Sequence, residues 1–220
     1  MLKILPGGDI SKIRYAAVHH VGGLLNNPFY SSLNMTAEQI DKAHRDRWDF
    51  KSQLQKYGGY NAFIDVAGNL MQFRYILEET AAQKGHNFDT ISIALAGNFT
   101  IDPTSGRMID QPTPAQLEKL GEVMDWINKN TPVATPNIVA HRFLGWTECY
   151  GTGLTDSWCR EVMIDYRNKK EMKQRIGALQ RLILLYSKLI DLLRISKMRI
   201  GARFGSQPLY HIGLCEAERG

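Results

Sequence analysis

The chain reads as an α/β domain followed by a basic amphipathic helix, and three observations support this. Strand-like and helix-like patterns alternate as far as about Arg167, the order that builds a sheet covered by helices. Within them Thr90–Phe99 is largely apolar, as suits a central strand buried on both faces. From Glu171 the pattern becomes a heptad seam, with Met172, Ile176, Leu179, Ile183, Tyr186, Ile190 and Leu193 spaced alternately by four and three residues.

In order along the chain, Arg14-Tyr15-Ala16-Ala17-Val18-His19-His20 reads as a buried strand that ends in a histidine pair. Gly22 to Phe29 is rich in turn formers and reads as a loop. Thr36-Ala37-Glu38-Gln39 opens a helix with Thr36 as its N-cap and Ile40, Ala43 and Trp48 on its apolar face. Tyr60–Val66 alternates like a strand, Ala67-Gly68-Asn69 turns, and Leu70–Arg74 returns, which predicts a hairpin. Glu78–Asn87 reads as irregular or as a short helix, before the central strand. A polar loop with Pro103, Gly106, Pro112 and Pro114 leads to Thr113-Pro114-Ala115-Gln116, which starts a helix with Leu117, Leu120, Val123, Met124 and Ile127 at helical spacing. A short apolar strand at Ile138 and a helix from about Ser157 into Arg167 complete the domain.

The chemistry concentrates in Ile138-Val139-Ala140-His141-Arg142-Phe143-Leu144-Gly145-Trp146-Thr147-Glu148-Cys149. An apolar run delivers a histidine, and a cysteine follows eight positions later across a polar loop long enough to fold back on it. Imidazole and thiolate are ligands that zinc prefers. The best candidate for a third is the histidine pair at the end of the first strand. Two His and one Cys leave a fourth position for water, the arrangement of a catalytic zinc. Taken singly, each of these residues also has an ordinary reading as packing or surface.

Composition narrows the classes further. With 220 residues, 44% of them hydrophobic, there is enough chain for one substantial core plus an appendage. Cys149, Cys159 and Cys215 are too few and scattered for a disulfide framework, and a Cys149–Cys159 bridge would remove a candidate ligand. The opening residues lack the length of a secretory apolar region and no run approaches a membrane span, so a protein cytoplasmic as synthesised is expected. The net charge of +5 belongs to the end of the chain, where residues 167–220 hold twelve Lys and Arg against four Asp and Glu. No nucleic-acid partner is expected, because that basic stretch lacks interleaved aromatics or a recognised motif. Residues 172–193 suit packing, self-association or contact with an envelope surface, and 199–220 show no periodicity and are expected to be disordered.

Val18-His19-His20, Gly59-Tyr60-Asn61, Arg74, Gly85-His86-Asn87, Ile91–Phe99, Thr113–Gln116 and His141-Arg142 through Thr147-Glu148-Cys149 occur in the order seen in zinc-dependent N-acetylmuramoyl-L-alanine amidases of the type-2 class. That class includes phage endolysins and peptidoglycan recognition proteins, and the resemblance covers roughly residues 10–165. It implies a mixed central β-sheet flanked by helices and an amidase domain over 1–166, with the heptad helix read from the spacing taking 167–198. It also implies Zn2+ held by His19, His141 and Cys149, with Tyr60 and Thr147 as catalytic donors near the metal-bound water. His20, Arg74, His86 and Asn87 are the implied substrate contacts. The implied activity is hydrolysis of the bond between N-acetylmuramic acid and L-alanine in peptidoglycan, as a phage or prophage endolysin that reaches the wall after release or holin-type access. A binding-only recognition module or a cytoplasmic muropeptide-recycling amidase is the alternative. One departure is clear: the family's Cys-Pro-Gly is here Cys149-Tyr150-Gly151, which predicts a looser turn beside the thiolate.

Overall fold

In the computed structural model of the protein the described residues are 1–23 and 27–204. The middle of the expected loop, 24–26, and most of the expected disordered stretch, 205–220, lie outside them. The described chain folds as a five-stranded mixed sheet with helices: β1 (Tyr15–His20), α1 (Ala37–Trp48), β2 (Ala62–Ile64), β3 (Leu70–Gln72), β4 (Thr90–Leu95), α2 (Pro114–Asn130), β5 (Ile138–Ala140) and α3 (Trp158–Phe204). The strand order is β3-β2-β4-β1-β5. β1 pairs in parallel with β4 and β5, β2 in parallel with β4, and β3 antiparallel with β2 as the predicted hairpin. Every residue of the central strand β4 is buried, in keeping with its apolar run.

Side chains alternate across the sheet, so each strand feeds two cores. On one face Val18, Ile64, Ile93 and Leu95 pack with Leu120, Val123, Met124 and Ile127 of α2, and with Tyr150, Cys159 and Met163. On the other, Phe63, Phe73 and Ala94 pack with Ile40 of α1. Both helices begin with the predicted capping boxes, at Thr36 with Gln39 and at Thr113 with Gln116, and Pro114 occupies the first turn of α2. The apolar face expected of α1 is narrower than its spacing suggests: Ile40 alone is buried, while Ala43 and Trp48 are exposed. α2 lies close to the first turns of α3 because Gly121 has no side chain. A Cβ there would sit 2.5 Å from the Cβ of Tyr166. Asp125 of α2 completes this contact, accepting from Arg167 Nε at 2.5 Å and Lys129 Nζ at 2.7 Å.

The chain divides into two compact units, Met1–Lys170 and Glu171–Gly220. Two helices were expected, one ending near Arg167 and one starting near Glu171. A single helix α3 runs through both, since Arg167-Asn168-Lys169-Lys170 contains no helix breaker. In the second unit the described side chains from Met172 to Ile195 are exposed or partly exposed, the large apolar ones included.

Candidate metal centre

β1 and β5 lie side by side in parallel, with Val18 opposite Ala140. The next residues, His19 and His141, therefore leave the same end of the sheet, and their rings lie 4.3 Å apart. Ligand sites in parallel sheets form at this carboxyl end of the strands. The loop after His141 then doubles back, with Arg142 N–H donating to the Cys149 carbonyl at 2.8 Å. This brings Cys149 Sγ to 3.8 Å from His19 Nδ1. One donor atom each from His19, His141 and Cys149 lies within 4.8 Å of the other two.

The atoms presented fit a metal ion. His19 is buried, and its Nε2 lies 3.1 Å from Gln83 Oε1. That oxygen also accepts from Ser92 Oγ at 2.9 Å, so it faces donors and Nε2 carries the ring proton. The lone pair of Nδ1 is left toward Cys149, as a histidine ligand held by an outer partner requires. His141 Nδ1 is buried without a hydrogen-bond partner. An orphan of this kind costs about 1–3 kcal/mol, and a cation would satisfy it. Tetrahedral zinc spaces nitrogen and sulfur donors about 3.3–3.6 Å apart, close to the 3.8 Å separation of Nδ1 and Sγ.

Electrostatics points the same way. Burial holds the His19 imidazole well below its usual range, with His141 adding to the effect, and burial lowers His141 to about 4. Both rings are thus neutral at pH 7 and keep a lone pair for a cation. Burial pushes the Cys149 thiol up to about 12. A divalent cation reverses that preference by taking the proton's place.

The expected looseness after Cys149 is absent, because Arg142 secures the following segment. Its guanidinium donates to the carbonyls of Gly151 at 2.7 Å and Leu154 at 2.6 Å, and to Asp156 Oδ1 at 2.5 Å. Tyr150 is fully buried and donates its hydroxyl to the Thr155 carbonyl at 2.6 Å. Gly151 makes the bend at φ +97°, where a Cβ would lie 2.4 Å from the Phe99 backbone. Arginine and packing here do what the family's proline does.

The two candidate donors sit differently. Tyr60 is half-buried with its ring 5.1 Å from that of His19, and burial, reinforced by Cys149, raises its phenol so that it stays protonated. Thr147 is exposed, and its Oγ1 accepts from Cys149 N–H at 3.2 Å, leaving its own proton to donate. Thr147 lines an open groove of about 940 Å³ with Phe143, Trp146 and Glu148.

The four expected substrate contacts are used by the fold. Arg74 is fully buried and donates to the backbone carbonyls of Gly58, Glu79 and Phe50, tying three loops together. Asn87 Oδ1 accepts from the N–H groups of Ala82 and Gln83 and from Thr80 Oγ1. His86 pairs with Asp89 and meets the ring of Tyr15 edge-on, four residues before His19 and about 13 Å away along β1. His20 Nδ1 accepts from Phe99 N–H at 3.0 Å, and burial lowers its pKa to about 4. Arg74, Asn87 Oδ1, His86 Nδ1 and His20 Nδ1 thus each hold a partner within the fold.

Sequence reasoning missed Gln83 and His44. Gln83 is buried in an irregular segment where no periodicity marks it. His44 accepts from Gly59 N–H at 2.8 Å, its ring 5.5 Å from Tyr60, so it buttresses the tyrosine. Its position in the heavily charged helix α1 hides it in the sequence.

Comparison with known proteins follows this geometry. Residues 9–156 match the N-acetylmuramoyl-L-alanine amidase (Amidase_2) family model. No curated protein sequence matches the chain. Among solved structures, the chain resembles the N-acetylmuramoyl-L-alanine amidase LysC from Clostridium intestinale URNW at 20% identity and TM-score 0.53, over 76% of this chain and 93% of that one. The endolysin amidase LysCS from the same organism matches at 21% identity and TM-score 0.50, over 66% and 78%. Bumblebee PGRP-SA matches at 16% identity and TM-score 0.50, over 70% and 81%. At such identities these likenesses establish the shared fold, but the family match spans most of the compact first unit, and on that ground the chain belongs to the N-acetylmuramoyl-L-alanine amidase family.

Proposed function

We propose that the protein is a zinc-dependent amidase that hydrolyses the bond between N-acetylmuramic acid and L-alanine in peptidoglycan, in the manner of an endolysin. The observation that carries this reading is the convergence of His19, His141 and Cys149 at one end of the sheet, in a chain of this family. These three residues would hold the ion, which when bound supplies an activated water and polarises the scissile carbonyl. His19 is set in one tautomer by Gln83, so its ligand atom is preoriented. Tyr60, its ring 5.1 Å from that of His19, keeps its proton and would donate to oxygen as negative charge develops there, and Thr147 would offer a second hydroxyl from the exposed loop. The groove beside Thr147 gives the muropeptide room to approach. The endolysin role draws on the relatives named LysC and LysCS, and implies a protein made in the cytoplasm that acts on the wall after release or holin-type access.

The test combines bound zinc with the ends released from purified peptidoglycan. The reading expects about one zinc per chain, new L-alanine amino termini, no new reducing sugar ends, and loss of both zinc and cleavage in Cys149→Ser. Peptidoglycan binding without zinc or cleavage would instead identify a recognition module.

A further inference from the structure

The second unit presents an apolar surface that the catalytic reading does not use. On a helix of 3.6 residues per turn, Leu179, Leu182, Leu185, Tyr186, Leu189 and Leu193 fall within one continuous arc of roughly 180°. Each of them is at least half exposed, Leu182 the least at 50%. The opposite arc holds Gln180, Arg181, Ser187, Lys188 and Asp191, interrupted by Leu184 and Ile195, and Arg194 stands at its border. From Gln180 to Ser196 there are thus three cations and one acid, with Lys188 within the polar arc and Arg181 at its edge beside Leu185.

We propose that this part of α3 is a docking surface for an anionic lipid bilayer, lying in the plane of the interface. Three features select that occupant. Charge is the first: a polar arc dominated by Arg and Lys complements acidic headgroups, whereas a second copy of the helix carries the same net positive charge and supplies no acidic surface to pair with it. Width is the second, because a two-stranded seam covers only the a and d positions and leaves Leu182, Leu185 and Leu189 in water. A bilayer interface takes the whole arc, and the long stems of Lys and Arg reach back to the headgroups. The third is length and polarity: no helix among the described residues is long and apolar enough to cross a membrane, so the helix lies on the surface. The inference does not depend on zinc or on amide hydrolysis.

Flotation of the full-length protein with vesicles tests it. The protein is expected to float with vesicles of phosphatidylcholine mixed with phosphatidylglycerol and to stay behind with phosphatidylcholine alone. Arg181→Gln with Lys188→Gln should lower partitioning about thirtyfold. Leu185→Ser with Leu189→Ser should lower it about tenfold or more, with helical circular dichroism in buffer unchanged. Equal flotation with both vesicle types overturns the proposal, as does a concentration-dependent oligomer in sedimentation equilibrium with no vesicle binding. Because the readout is vesicle binding, its failure is distinguishable from failure of the amidase reading.

Discussion

Arg142 offers the sharpest test of how the site is held. Arg142→Ala removes three hydrogen bonds from the segment that carries Cys149, but they are not equal. Asp156 is 71% exposed, so its ion pair is worth at most about 1 kcal/mol. The bonds to the Gly151 and Leu154 carbonyls are part-buried and made by a charged donor, about 1 kcal/mol or more each. The expected loss is about 2–3 kcal/mol, concentrated on residues 149–156. The backbone bond from Arg142 N–H to the Cys149 carbonyl survives the substitution, so the loop stays closed at its base. What slackens is the position of the thiolate, and zinc affinity should fall about 10–100-fold, as for other outer-shell partners. Arg142→Lys should fall between, because one ammonium cannot span three acceptors. Chelator competition for zinc, read beside a denaturant melt, checks this. A variant that loses the expected stability but binds zinc within about twofold of the wild type would refute the argument.

The remaining predictions concern groups behind the site. Gln83→Leu strips the partner from His19 Nε2 and from Ser92 Oγ, so zinc affinity should drop about 10–100-fold and stability by about 1–3 kcal/mol; unchanged affinity in the same chelator competition would remove Gln83 from the centre. His44 is held neutral by burial, its pKa lowered to about 4 from an unfolded value of 6.5. Between those values the unfolded chain binds more protons, so this share of stability is complete above about pH 6.5 and is lost as pH falls toward 4. Denaturant melts of metal-free protein at pH 7 and pH 5 should therefore differ by about 1–2 kcal/mol less in His44→Phe than in wild type, and equal differences would count against the assignment.

Much of this was legible because particular residues carry local instructions. The Thr36 and Thr113 capping boxes announce their helices through side-chain bonds to nearby backbone, and the apolar run of β4 announces burial on both faces. The eight-residue interval from His141 to Cys149 marked two side chains whose donor atoms the fold brings within 4.8 Å of each other. What escaped depends on tertiary approach. Arg74, expected as a substrate contact, is buried because three loop carbonyls from separate segments converge on its guanidinium. The loop bonds of Asn87 Oδ1 and the pairing of His86 with Asp89 were likewise not to be read from their motif. Gln83 became recognisable only once its oxygen was seen between His19 and Ser92. The continuity of α3 past Lys170 was hidden by a change in residue pattern that involves no change in backbone preference.

The donor set spans 130 positions, from His19 to Cys149, and is joined only where β5 docks beside β1. No nascent or partly folded chain that lacks β5 can present the three ligands together. A metal held by all three would therefore bind only after β5 has docked, and would act as a staple between distant parts of the chain, favouring the folded state by mass action. Retention of such an ion would report on the whole sheet, so a substitution far from His19 that frays the β1–β5 edge is expected to be felt first as metal lost to a chelator.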